Sequence, residues 1–155
     1  RNREEIIRAI FTSITEEFAG ANYTPGSGFS ADDFLDSVRG MYRLYYKYRF
    51  FYLDISMLLD RDPELEKSYR DNYRKKSAKM REVISLLEKE GILRGFPGDT
   101  ERELFIENIW TITDFRLPFL KVSSEITEEK IVSDGIAGYI AFFRPYITGN
   151  ISWPA

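Results

Sequence analysis

The sequence predicts an all-α protein, a helical bundle of about six helices with a long central helix. Two observations predict it. Apolar residues return every three or four positions along most of the chain, with no sustained period-two alternation and no Asn-Gly or Asp-Gly hairpin signal. Most of these periodic stretches also open on a capping residue or close on glycine or proline. The 155 residues suit one domain, expected over 1–147, with a loose tail over 148–155.

The first helix is expected over 2–18. Asn2 is an N-cap residue and Glu5 stands three positions on, as in a capping box. Ile6, Ile10, Ile14 and Phe18 form one stripe, widened by Ile7 and Phe11. Three glycines and a proline over 20–28 predict a loop. Ser30 then caps a second helix with Asp32 and Asp33 in its first turn, where carboxylates suit the helix dipole. Its apolar face runs Phe34, Leu35, Val38, Met41, Tyr42 and Tyr45. Near Tyr48 the apolar pattern becomes almost continuous, through Phe50, Phe51, Tyr52, Leu53 and Ile55. A short buried helix is expected there, with the break between 47 and 50.

Asp62-Pro63-Glu64 is a strong start signal, a cap followed by proline at the first helical position. The long helix is expected over 63–90 and to end at Gly91 in a Schellman turn, with Ile92 returning to Leu87. Thr100 and Glu103 form a capping-box pair for the next helix, expected to run to Val122 with a kink at Pro118. Thr127 caps the last helix, which Arg144-Pro145 closes.

Composition narrows the function. The chain has no Cys and no His, which excludes disulfides, Cys/His zinc sites, thiol nucleophiles and an imidazole base. No spaced carboxylate pair, Gly-rich phosphate loop or Ser-centred motif appears, so no catalytic site and no cofactor are expected. A net charge of -3 is the wrong sign for a DNA-binding surface across the whole domain. No apolar run approaches the roughly 20 residues that span a bilayer, and the charged N-terminus is not a signal peptide. A cytoplasmic protein with no membrane partner is expected. The chain starts at Arg1, directly on a helix start, which reads as a fragment of a longer protein.

Three segments carry a family resemblance. The opening Arg1-Asn-Arg-Glu-Glu-Ile-Ile-Arg-Ala-Ile-Phe11 resembles the connecting helix of TetR-family regulators. The ring cluster Tyr48-Arg-Phe-Phe-Tyr52, followed by Asp62-Pro-Glu-Leu65, and the closing stretch from Ile126-Thr-Glu-Glu129 to Phe143-Arg-Pro-Tyr146 look similar to the effector domain of one subgroup. The resemblance covers essentially the full chain. It implies a TetR C-terminal-domain-like fold, with residues 1–19 connecting to a helix-turn-helix head that this sequence lacks and through which alone DNA would be bound. It implies a homodimer through the last two helices and a small hydrophobic effector bound among the middle helices, which alters DNA binding by the head.

Several residues are candidates for these roles. The last helix is apolar on two faces, so both need covering. Gly135 and Gly138 each cost it roughly 1 kcal/mol, which a close helix–helix approach would offset. Candidate dimer residues are Leu117, Leu120, Ile131, Gly135, Gly138, Tyr139 and Phe142; the alternative is packing inside one subunit. Candidate effector-binding residues are Tyr45, Phe51, Tyr52, Ile55, Tyr73, Trp110, Asp114 and Phe115, since ring-lined walls with a few polar groups suit a small ligand; the alternative is that the rings fill the core. Asp114, in an apolar segment four residues before Pro118, faces a cationic ligand, pairs with Arg116 or a lysine, or lies at the surface of the kink. Such walls favour a neutral or cationic effector. The basic run Arg70, Arg74, Lys75, Lys76, Lys79 and Arg81 alternates with acids, as a solvated helix face does. A helical protein-interaction module without a small-molecule ligand is the alternative function; a large internal cavity would discriminate against it.

Overall fold

The computed structural model describes residues 2–21, 28–149 and 151–154. Eight α-helices form the described chain: α1 (Arg3–Ala21), α2 (Ala31–Lys47), α3 (Arg49–Leu53), α4 (Ile55–Arg61), α5 (Pro63–Lys89), α6 (Asp99–Asp114), α7 (Arg116–Ser123) and α8 (Glu128–Phe143). A 3₁₀ turn, Arg144–Tyr146, follows α8. Among the described residues there is no strand, only one bridge between Leu93 and Ile147. The all-α class and the long central helix are as expected; two of the expected six segments divide.

The caps explain most starts. Glu5 N–H donates to Asn2 Oδ1 (2.9 Å), Asp33 N–H to Ser30 Oγ (3.1 Å), and Lys130 N–H to Thr127 Oγ1 (3.2 Å). Asp62 Oδ1 accepts from the N–H groups of Glu64 and Leu65 (3.1 Å each) at the start of α5. Each satisfies an amide that has no partner within its own helix. Gly91 ends α5 with φ 69°, and the Ile92 and Leu93 N–H groups reach back to the Leu87 carbonyl (2.9 and 3.1 Å). A side chain at position 91 would be strained in that conformation.

Some expectations need correction. α1 runs past Phe18 to Ala21, and its inward stripe is Phe11, Ile14 and Phe18, while Ile6 is exposed. Of the loop expected over 20–28, residues 22–27 lie outside the described residues, and Gly20 is helical. The ring-rich segment breaks at Tyr48, within the expected window, and again at Asp54. Thr100 and Glu103 do not make a capping box: Gly98 is the N-cap and Glu103 pairs with Arg81 (2.6 Å). The helix expected over 100–122 is two helices parted at Phe115. Proline clashes with the carbonyl four residues earlier, here that of Asp114, so the break falls upstream of Pro118 itself.

The tail is not loose where it is described. Thr148 donates its N–H to the Ile92 carbonyl (2.9 Å) and its hydroxyl to the Gly91 carbonyl (2.5 Å). Trp153 donates Nε1–H to the Ile140 carbonyl (3.2 Å) and lays its ring against Phe34 and Phe143.

α2 packs along α8, and one core joins all eight helices. At Gly135 of α8 the Tyr42 ring of α2 fills the space of a side chain: a Cβ there would stand 2.5 Å from it. The N-terminal half of α1 is less covered and is tied to the start of α5. Arg8 bridges Glu64 and lies 3.5 Å from Asp62 Oδ2.

Candidate functional site

A half-open pocket of about 150 Å³ is sunk into the bundle between α1, α2, α5, α6 and α8. Phe18 and Ala21 of α1, Val38 and Met41 of α2, Met80 and Val83 of α5, and Ile109 of α6 make most of the wall apolar. It is smaller than a usual drug-sized site, which spans about 300–1,000 Å³. Its volume is that of a cavity able to take up a single benzene-sized molecule.

The rings are held in place by their own partners. Trp110 donates Nε1–H to Ser77 Oγ (3.1 Å) and packs on Tyr73 at 5.0 Å between centroids. Tyr45 stands edge-on to Phe18 at 4.9 Å and to Tyr52 at 4.5 Å. Behind Tyr45 lies Asp114, fully buried at the end of α6. Its Oδ1 accepts from the Tyr45 hydroxyl and its Oδ2 from the Tyr69 hydroxyl. Burial pushes the Asp114 carboxyl up from its ordinary value, opposed by these two hydrogen bonds and by Lys76. The Tyr45 and Tyr69 hydroxyls are pushed up as well, first by burial and then by the carboxylate beside them.

Lys76 is the charged group on the inner wall. Its Nζ lies over the Phe18 ring at 4.6 Å and near the Trp110 ring at 5.9 Å, within cation–π range. Burial pushes its ammonium pKa down, with Asp114 partly opposing. Sequence reasoning placed Lys76 on a solvated face. That description holds for its neighbours: Arg70 pairs with Glu66, Arg74 with Asp71, Lys79 with Glu82 and Arg81 with Glu103. A helical step of about 100° per residue turns position 76 inward while 75 and 79 stay outside. Tyr73, three residues earlier on the same face of α5, was the one signal the sequence offered.

Of the expected effector residues, the structure brings Tyr45 and Trp110 to the cavity wall, with Tyr73 and Asp114 directly behind them. Phe51, Tyr52 and Ile55 are buried core residues that do not line it. Phe115 is 46% exposed at the α6–α7 break, away from the cavity. Asp114 pairs with neither Arg116 nor a surface lysine; Arg116 lies 3.7 Å from Asp134.

Of the expected dimer residues, Leu117, Leu120, Ile131 and Tyr139 are buried in the chain's own core, and Gly135 is filled by Tyr42. Phe142 stacks on Phe105 at 4.8 Å. Gly138 alone has open space where a Cβ would stand. Ile6, Phe50 and Met57 are exposed singly, whereas Phe115, at the start of α7, with Phe119 (59% exposed) and Val122 (88% exposed) are spaced i, i+4, i+7 on one stripe. Leu104 of α6 is exposed as well.

Fold and pocket together define an all-α helix-bundle domain with an apolar, half-open pocket. The sequence profile of the TetR family, described as bacterial transcriptional repressor, matches residues 9–152. The chain belongs to the TetR family. It is similar to the crystal structure of a TetR-family transcriptional regulator from Marinobacter aquaeolei VT8, with a TM-score of 0.82 and 25% sequence identity over 96% of this chain and 71% of that one. No curated protein matches the chain. Among the described residues, no helix is long and apolar enough to cross a membrane.

Proposed function

We propose that this chain is the ligand-sensing and dimerising domain of a TetR-family transcriptional regulator, with DNA read by a head preceding α1. The observation that carries the reading is the position of the cavity. Phe18 and Ala21, at one end of α1, form part of its wall. A ligand that fills the cavity therefore touches the helix that leads toward the DNA-reading part, and biases its position through differential contact. Arg8, held by Glu64 and close to Asp62 at the start of α5, keeps the other end of α1 in register with the helix that carries Lys76. The test is a thermal-shift screen of single-ring compounds. Stabilisation that is lost when the cavity is filled by Val38→Phe supports the reading; a screen in which no compound raises the midpoint of the unaltered chain counts against it.

The partner is a second copy of the chain, seated on the Phe115–Phe119–Val122 stripe of α7 and on the Gly138 flank of α8. These are neighbouring surfaces: Asp134, one turn before Gly138, meets Arg116 of α7. A charge at the centre of an apolar interface is left desolvated and unpaired, so Phe119→Asp is expected to give a monomer by light scattering while helical content is retained. A dimer that survives both Phe119→Asp and Val122→Asp places the interface elsewhere.

A further inference from the structure

We propose that the cavity takes a small amphipathic anion, a carboxylate carried on about one aromatic ring, with its charged end on Lys76 and its ring against the apolar wall. This rests on the effector-binding reading above and names the ligand's chemistry. It also reverses the expectation of a neutral or cationic effector.

The argument starts from which polar groups on the wall remain unsatisfied. Tyr45 donates to Asp114, Trp110 to Ser77, Thr113 to the Ile109 carbonyl (2.9 Å), Ser37 to the Asp33 carbonyl (3.1 Å) and Lys79 to Glu82. Among the described residues, two polar side chains on the wall make no hydrogen bond or ion pair: Lys76 and Tyr139. Tyr139 is buried. An ammonium offers three donors and no acceptor, and a phenol hydroxyl can donate. The site therefore lacks acceptors, and a carboxylate supplies them.

Charge decides between ligand classes. A cation in this pocket would be brought beside the half-buried Lys76 ammonium, a like charge. The attraction of Asp114 is already taken up by Lys76, and Asp114 does not line the pocket, so a cationic ligand gains no direct ion pair with it. A neutral ring can offer the ammonium a further cation–π face but no acceptor for its N–H donors. A carboxylate forms a charge-assisted hydrogen bond there, shorter and stronger than a neutral one. The burial that already pushes the Lys76 pKa down makes that counter-charge more valuable. The rings of Phe18 and Trp110 neighbour Nζ without accepting a conventional hydrogen bond, which leaves its N–H donors for a ligand. A volume of about 150 Å³ limits the apolar part to about one ring.

The test uses three probes of one shape and three charges: benzoate, benzamide and benzylamine, titrated calorimetrically into the full chain at neutral pH. Benzoate is expected to bind at least ten-fold tighter than benzamide, and benzylamine not to bind. Lys76→Met is expected to abolish the preference for benzoate, Lys76→Arg to keep part of it, and Lys79→Met, at a rim position already paired with Glu82, to leave it unchanged. Lys76→Met replaces an unpaired, half-buried ammonium by an apolar chain of similar length, so its thermal midpoint should equal or exceed that of the unaltered protein. Should it fail to fold, Lys76→Gln carries the same comparison. Benzamide binding as tightly as benzoate, or a benzoate preference that survives Lys76→Met, overturns the anion inference and leaves the effector-binding reading standing. No heat and no thermal shift from any of the three probes, or from benzene itself, overturns both.

Discussion

Asp114 shows how one buried carboxylate can hold three helices together. It sits at the last position of α6 and accepts hydroxyl protons from Tyr45 of α2 and Tyr69 of α5. A hydrogen bond to a charged group contributes about 1.5–3 kcal/mol, whereas a buried donor left unmade costs its full desolvation. Tyr69→Phe is therefore expected to lower stability by about 2 kcal/mol in urea unfolding. Asp114→Ala strands two hydroxyls at once and is expected to cost about 3 kcal/mol or more. A double-mutant cycle between positions 69 and 114 should show strong coupling; additive costs would mean that the hydroxyl and carboxylate do not act as a pair. The sequence marks Asp114 as anomalous, because a carboxylate stands in an apolar helical segment. It does not reveal the partners, which lie 69 and 45 residues away and are unrelated to it by any helical spacing. Lys76 was hidden for a different reason. It belongs to a run that alternates with acids, and only its burial against Phe18 and Trp110 separates it from the solvated members.

At the level of helices, local chemistry was the legible part. Asn2, Ser30, Asp62 and Thr127 cap where their side chains and positions indicate, and Gly91 ends α5 with a positive φ. The capping pair at Thr100 and Glu103 failed because Arg81 of α5 competes for the glutamate, a contact across 22 residues. The glycines of α8 separate along the same line. Both carry the same helix penalty, but Gly135 meets Tyr42 and Gly138 meets open space. Tyr42 is buried, with its hydroxyl donating to the Ile112 carbonyl (3.1 Å), so its ring has little room to retreat. Gly135→Ala is expected to destabilise by about 1–3 kcal/mol as an overpacked contact. Gly138→Ala is expected to stabilise the protomer by roughly 0.5–1 kcal/mol through helix propensity. If Gly138 also lies in the dimer interface, the same substitution weakens association, so unfolding and sedimentation measured together separate the two effects. Equal destabilisation by both alanines would contradict the packing difference at α8.

For the whole molecule, the all-α class and the ring-rich centre were legible because periodicity and composition act over many residues. The choice between core and interface was not. Leu117, Leu120, Ile131 and Tyr139 are as apolar as Phe119 and Val122, and only the docking of α7 and α8 onto the bundle decides which group faces inward. Acid titration tests how the assembled bundle distributes its charges. Glu17 of α1 is hydrogen-bonded by Lys47 (2.7 Å) and by Tyr48 (2.6 Å), and these hold its carboxyl below the ordinary 4.5. Glu103 is held down in the same way by Arg81. A depressed folded value means that the unfolded chain takes up the proton first, so this stabilisation is present above pH 4.5 and is lost as the pH falls through the folded values. Asp114 has the opposite sign. Its folded carboxyl is raised above 3.8 by burial, so the folded chain takes up the proton first, and stability grows as the pH falls from that raised value toward 3.8. Asp114 therefore offsets part of the acid loss, and the thermal midpoint of Asp114→Asn is expected to fall more steeply on acidification than that of the unaltered chain, while Glu17→Gln should shallow the fall. An Asp114→Asn midpoint that follows the same acid profile as the unaltered chain would show that the buried carboxyl is not a group that takes up the proton.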